Sequence, residues 1–208
     1  LKSLPFSVST GMMGGIMGSS GLPNGTALDV LKLQVEPAVS GSSPVLPEQL
    51  STLGFYAEQD AVNRNHPRQF TLAMMMTGTI NGRSFKMDEV ASEEIVRLND
   101  LEIWEFYNSE SGGMRMMAGG GGHPHPMHVH NVQFQVLERQ IDQQNRQEYE
   151  AINAGFVDEG WKDTVLVWPG ERVRVLIRFQ DNAGLYLYHC HNLEHEDGGM
   201  MRNYRIES

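Results

Sequence analysis

From about residue 67 onward, apolar and polar side chains alternate with a period of two in one short segment after another. The pattern is cleanest in ERVRVLIRF, where Val173, Val175, Ile177 and Phe179 face one way and Arg172, Arg174 and Arg178 the other. That is the mark of a strand with one buried face. RQFTLAMMM predicts a strand running into a turn near Gly78, and TINGRSF carries an Asn81-Gly82 hairpin signal. EIVRLNDLEIWEFYN, with its internal Asn-Asp, predicts two strands or one bent strand; MHVHNVQFQVLER alternates through Val132, Phe134 and Val136, and GLYLYHCH closes the series. Upstream, ALDVLKLQVEP alternates through Leu28 and Val30, with Leu33 and Val35 as further inward positions, and predicts a strand that stops at Pro37. Helix signals are thin: one turn around Leu193–Glu196 and a short segment near Glu48–Leu53. Short strands with turn signals between them predict an all-β, antiparallel sandwich or barrel.

Length and composition add a division of the chain. Its 208 residues suit one full domain with an appendage. AVSGSSPVLPEQLS, with Pro44 and Pro47, reads as a linker. The expected organisation is residues 1–45 as an extension plus linker and 46–208 as the main domain, with residues 1–26 read as loop holding at most one short strand. Hydrophobic residues at 40% and charged residues at 20% provide for an ordinary core. A formal net charge of −10 argues against a nucleic-acid partner, which would want a basic stripe, and fits an anionic membrane surface poorly. No apolar run approaches the roughly 20 residues of a membrane span. The chain opens on Leu1 with no visible signal peptide, so its beginning is expected to be processed or cut.

The chemistry concentrates in two places. GGGGHPHPMHVH holds His123, His125, His128 and His130, four of the eight histidines; LYHCHNLEHEDGGMM holds His189, His191 and His195 around the only cysteine, Cys190. On a strand, His189 and His191 share one face and Cys190 takes the other, so one tripeptide can touch two centres on opposite sides of the backbone. His128 and His130 share a face in the same way. His125, set off by Pro126, is free to turn toward Cys190, and His195 and Met200 lie in a segment that can fold back to the cysteine side. Two groups result. His125, Cys190, His195 and Met200 match the two-histidine, thiolate and axial-methionine set of a blue copper centre; His128, His130, His189 and His191 form a four-imidazole half-cage. A lone His-x-His is often a solvated pair, and a Cys-His pair can be a nucleophile with its base, but neither accounts for six further histidines at matched spacing. A structural zinc site usually draws on several cysteines. Copper is the expected cofactor.

HPMHVH together with HCHNLEHEDGGMM resembles the two C-terminal copper motifs of the multicopper oxidases, and GWKDTVLVWPGERVRVLIRF is similar to the matching stretch of bacterial laccases, spore-coat laccases and bilirubin oxidases. The resemblance covers roughly residues 28–208. It implies a Greek-key cupredoxin-like domain at 46–208, with 1–45 as the tail end of a preceding cupredoxin domain. By position it implies His125, Cys190, His195 and Met200 as type 1 copper ligands, His128 on type 2 copper, and His130, His189 and His191 on the type 3 pair. Glu196 falls where the family places an acidic proton donor, so Cys190 and Glu196 are the expected catalytic residues. The family's trinuclear cluster takes eight histidines, four of them from an N-terminal domain, and no His-x-His occurs before residue 123. The chain is therefore expected to be the C-terminal part of such an oxidase, with the missing cupredoxin domains as its partners. A small reducing substrate, phenolic or a metal ion, would supply single electrons and O2 would be reduced to water. The family also implies export to the periplasm, cell envelope or exterior.

Two other readings stay open: a non-catalytic cupredoxin electron carrier, which leaves four histidines idle, and a two-domain oxidase or nitrite-reductase relative with sites between subunits. The 13 methionines include clusters at Met12, Met13 and Met17, at Met74, Met75 and Met76, and at Met114, Met116 and Met117. Core filling is expected of the second cluster; for the first and third, contacts to soft metal ions or a loop on the substrate side stand level. Asp163 is expected either as a turn residue or as a hydrogen-bond partner of a ligand histidine.

Overall fold

The fold was analysed in a computed structural model, which describes residues 1–6, 22, 25–37, 41, 44–74, 77–109 and 122–208. The alternating segments form ten strands: β1 (Arg68–Met74), β2 (Gly78–Ile80), β3 (Ile95–Arg97), β4 (Leu101–Asn108), β5 (His125–Val129), β6 (Phe134–Ile141), β7 (Thr164–Val167), β8 (Glu171–Arg178), β9 (Gly184–Cys190) and β10 (Met201–Glu207). They make two five-stranded sheets, ordered β2-β1-β4-β8-β6 and β3-β10-β9-β5-β7. The inward faces pack on each other: Phe70, Trp104, Val173, Val175 and Ile177 from the first sheet meet Met127, Val129, Tyr188 and Tyr204 from the second. The all-β sandwich is as the alternation predicts. Two pairings depart from a purely antiparallel fold, because β1 runs parallel to β4 and β3 parallel to β10. Each of these partners is reached by a connection that crosses the sandwich, which periodicity does not record.

Turn chemistry sets the strand ends. Asn81 and Gly82 both have positive φ, 51° and 72°, as a tight hairpin turn requires. Only Ile80 and Arg83 pair across it; the Asn81 side chain instead bonds the backbone of β1 at Thr71 and Gln69. Asn99 (φ 71°) separates β3 from β4, so the Asn-Asp segment is two strands. The segment read as one strand through Val132 and Phe134 is also two. Asn131 (φ 67°) breaks it, and β5 and β6 lie in different sheets.

In β8 the valines and Ile177, and Phe179 just after it, are buried as the pattern predicts, but Leu176 on the arginine face is buried too. It packs with Ala61, Leu101 and Ile103 under Tyr56, where the segment before β1 covers the outside of the first sheet. Two predicted elements do not form. Residues 27–37 are extended without a sheet partner, apart from an isolated bridge between Lys2 and Asp29, and Val30, Leu33 and Val35 are exposed. The segment's backbone bonds run instead to residues 1–3, as in Ser3 N to Leu28 O and Val30 N to Leu1 O, and do not extend into a strand ladder. Glu48–Leu53 is likewise not helical. The α-helices among the described residues are α1 (Arg146–Ile152), which the pattern did not signal, and α2 (Leu193–Asp197), which it did. Among the described residues no helix is long and apolar enough to cross a membrane.

Candidate metal centre

The parity of β5 and β9 sorts the histidines. The two strands are antiparallel neighbours, with Met127 opposite Cys190 and His128 opposite His189. His125, Met127 and Val129 point into the sandwich along with Tyr186, Tyr188 and Cys190; His128, His189 and His191 point out. His125 is thus the first residue of β5, paired with Val167 and fully buried, rather than part of a loop before the strand.

At the inner end of this pair, three ligand atoms converge. His125 Nδ1 lies 3.1 Å from His195 Nδ1, and Cys190 Sγ lies 3.6 Å and 3.4 Å from these two nitrogens. Nitrogens about 2.0 Å and a sulfur about 2.3 Å from one shared ion, spread in a trigonal plane, would stand roughly 3.5–3.7 Å apart. The observed triangle is close to that size. All three residues are buried, and gathering lone-pair atoms out of water at this spacing is costly unless a proton or cation sits among them. The set therefore fits a soft or borderline metal ion.

α2 and the turn after it supply the rest of the group. His195 lies on α2, and Gly198-Gly199, the second at φ 98°, reverses the chain so that Met200 returns fully buried. Met200 N donates to His195 O (2.9 Å) and Cys190 N to Met200 O (3.0 Å), which ties helix, turn and β9 together. Asn192 was not anticipated. Its amide donates to Pro124 O (3.1 Å) and lies 3.4 Å from His195 Nδ1, linking the segment before β5 to α2. Asn108, fully buried, similarly donates to His123 O and Val167 O. A single polar residue at a strand end gives no sequence signal of such a role.

Gly78 of β2 lies against this turn. A Cβ there would meet Met200 Cβ at 2.6 Å and Met200 N at 3.0 Å. Gly78→Ala is therefore expected to displace Met200 and cost about 1–3 kcal/mol, read as a fall in melting temperature of the metal-free chain and a shifted visible spectrum after copper loading. An unchanged spectrum would mean that Met200 does not sense the bound ion.

On the outer face, His128, His130 and His189 bring one ring nitrogen each within 4.8 Å of one another, with His130 Nε2 and His189 Nε2 3.1 Å apart. The His191 ring stands 5.6 Å from that of His128 and 5.4 Å from that of His189, and is exposed. Backbone carbonyls set two tautomers: His128 Nδ1 donates to Asp163 O (2.8 Å) and His189 Nδ1 to Cys190 O (3.0 Å), which leaves each Nε2 as a lone-pair donor. Asp163 thus orients His128 through its main chain, while its carboxylate accepts from Thr164. Burial, then the neighbouring His128 and His189, pushes the His130 pKa below its ordinary value, against an opposing pull from Glu196, a direction that favours the neutral imidazole ligation uses. Glu196 is half-buried on α2. His66 is exposed on a surface turn, and the exposed His123 ring stands 5.5 Å from that of His195. Met74 packs against the core, as expected of its cluster. Met75 and Met76, and the clusters around Met12 and Met114, lie outside the described residues.

The sequence profile of the multicopper oxidase family matches residues 60–208. A laccase of Haloferax volcanii is 36% identical over 164 residues, covering 76% of this chain and 24% of the laccase. Among solved structures, a variant of the McoA multicopper oxidase of Aquifex aeolicus is 33% identical at a TM-score of 0.59, over 78% of this chain and 33% of that one. A laccase-like multicopper oxidase, CueO, of Ochrobactrum sp., described as having oxidase activity towards lignin model compounds and lignosulfonate, is 26% identical at a TM-score of 0.63, over 91% of this chain and 40% of that one. The chain spans about a quarter of the length of the curated relatives it matches.

Proposed function

The chain belongs to the multicopper oxidase family, and from that premise we propose that it is the C-terminal part of an oxidase that takes single electrons from a reducing substrate and passes them to dioxygen, forming water. One observation carries the reading: Cys190 turns its sulfur into one buried ligand group while His189 before it belongs to the other, and the ring of His191 after it stands 5.4 Å from that of His189. His125, Cys190, His195 and Met200 would hold a type 1 copper; His128 would hold type 2 copper, and His130, His189 and His191 their share of a type 3 pair. Copper bound in these two groups supplies one-electron redox chemistry at the first and reduction of dioxygen at the second.

The chain's own contribution is connection and orientation. The end of β9 and the residue after it join the Cys190 sulfur to both flanking imidazoles through covalent bonds, and extended backbone advances only about 3.3 Å per residue. The Asp163 and Cys190 carbonyls fix which nitrogen His128 and His189 present. Glu196, whose charge acts on His130, would hand protons toward the outer group. The reading assigns residues 46–208 to one copper-carrying domain and 1–45 to the tail of a preceding one with its linker. The exposed apolar side chains at Leu28, Val30, Leu33 and Val35 suit a segment whose sheet lies in that other domain, and the remaining half of the outer ligand set would come from further domains of the same enzyme. The substrate is proposed to be phenolic or a metal ion, by likeness to laccases and to the lignin-model activity of the Ochrobactrum enzyme. Export to the periplasm, cell envelope or exterior belongs to the same reading and rests on the family resemblance alone.

Copper titration tests it first. An ion that binds only the folded chain stabilises it by about 2.7 kcal/mol at a hundredfold excess over Kd; in a chain of this size that is a rise in melting temperature of roughly 5–10 °C, accompanied by an intense blue band. Addition of a chelator should reverse both. Copper that raises neither melting temperature nor colour would sink the type 1 assignment, while turnover of a phenol by this chain alone would mean that the outer group is complete without other domains.

A further inference from the structure

The inward face of β9 carries, in order, Tyr186, Tyr188 and Cys190, and two more oxidisable rings pack against it. Tyr188 is fully buried, one peptide from His189; its ring centroid lies 5.6 Å from that of Trp104 and 6.4 Å from that of Tyr204. Trp104 and Tyr204 are 5.6 Å apart, and Tyr204 and Tyr186, directly opposite each other in β10 and β9, are also 5.6 Å apart. These are contact distances for aromatic rings. Any hydrophobic core can hold aromatics, but these rings are also equipped for proton movement. Tyr188 donates its hydroxyl to Glu94 Oε1 (2.8 Å) and Trp104 its indole N–H to Glu102 Oε2 (3.2 Å), both buried carboxylates. Tyr204 donates to the backbone carbonyl of His130 (2.6 Å). Tyr186 is only partly buried and donates to Asn182 O at the surface.

We infer that Tyr188, Trp104, Tyr204 and Tyr186 form a path along which oxidising equivalents leave the outer histidine group for the protein surface when the supply of electrons stalls. The inference rests on the oxidase reading above, since it needs a strong one-electron oxidant at that group, here partly reduced dioxygen. The oxidant takes one electron from Tyr188, whose O–H bond breaks as the proton moves to Glu94 Oε1, leaving a neutral phenoxyl radical. Trp104 returns an electron to Tyr188 and the proton comes back from Glu94. Tyr204, whose hydroxyl donates to a carbonyl that does not take up a proton, bridges Trp104 to Tyr186. Tyr186 then gives up the electron, releasing its hydroxyl proton to water, and an external one-electron donor of the phenol or ascorbate class restores it with one electron and one proton. The net change is one electron from that donor to the oxidant and one proton from the donor to water, with no side chain consumed.

The test uses the full-length, copper-loaded oxidase, reduced anaerobically with too little donor to carry O2 to water and then exposed to O2 with no further donor, freeze-quenched for electron paramagnetic resonance, in parent, Tyr188→Phe, Trp104→Phe and Tyr186→Phe forms. The expected result is an organic-radical signal in the parent that narrows with ring-deuterated tyrosine. Tyr188→Phe should lose it, and Tyr186→Phe, a conservative change at a partly exposed ring, should alter it. Each variant should complete several-fold fewer turnovers before inactivation at limiting donor, at an initial rate with saturating donor like that of the parent. A copper-loaded, oxygen-consuming parent with no radical, or with a signal and lifetime the same in all variants, overturns the path and leaves the oxidase reading intact. Absence of copper or of oxygen uptake in the parent would overturn both.

Discussion

Cys190→Ser is expected to abolish the blue band and to lower donor oxidation by the full-length oxidase by several orders of magnitude. Cys190 provides the only thiolate of the chain, and soft sulfur ligation is what favours copper in a set otherwise made of imidazoles and a thioether. A serine hydroxyl at the same place stays neutral and is a hard ligand. The variant should nevertheless fold. The oxygen is smaller than the sulfur but can bond His125 Nδ1 or His195 Nδ1, which lie 3.6 Å and 3.4 Å from the sulfur in the parent, so the cost should stay near 1 kcal/mol. The comparison to make is therefore melting temperature without copper, nearly unchanged, against copper-induced stabilisation, much reduced. Donor oxidation at the parent rate in Cys190→Ser would remove the cysteine from the electron path.

The second large effect is on stability. Arg202 has no exposed surface and meets Glu94, itself 2% exposed, with two hydrogen bonds of 2.8 Å and 2.7 Å. It also reaches Glu89 and Ser84 O, and the Glu94 hydrogen bond, ahead of its other neighbours, holds the guanidinium above its ordinary pKa. Removing one partner of a buried pair leaves an uncompensated charge, at a cost of about 3–5 kcal/mol. Arg202→Met should accordingly lower the melting temperature by roughly 6–20 °C. Glu94→Leu/Arg202→Leu should lose less than Arg202→Met, because an apolar pair leaves no stranded carboxylate apart from Glu89 at the rim, and the Tyr188 hydroxyl is then the main group left unpaired. A fall of less than about 2 °C in Arg202→Met would mean that water reaches Glu94.

Much of this molecule is legible in its sequence, and the reason is local geometry. A period of two assigns faces without any knowledge of partners, so β8, the His189-Cys190-His191 parity and the shared face of His128 and His130 follow from spacing. Turn chemistry is equally local: Asn81-Gly82 and Asn99 take the positive φ that their types tolerate. The break at Asn131 shows the limit. An asparagine within an alternating run is compatible with a continuous strand, and only the competing demands of two sheets send β5 to one and β6 to the other.

The same distinction divides the metal groups. Sequence determined which residues carry ligand chemistry, and strand parity separated the inward sulfur from the outward imidazoles. Tertiary structure decided that His125 enters a strand instead of a loop, that Asn192 ties the segment before β5 to His195, and that the Asp163 carbonyl orients His128. It also decided the parallel pairing of β1 with β4 and of β3 with β10, the exposure of the alternating residues 28–35, and the burial of Arg202 on a carboxylate 108 positions away. Each of these depends on a hydrogen-bond or charge partner distant in the chain. A side chain's face is set by its immediate neighbours, whereas its partner is set by which segments the whole chain can bury together.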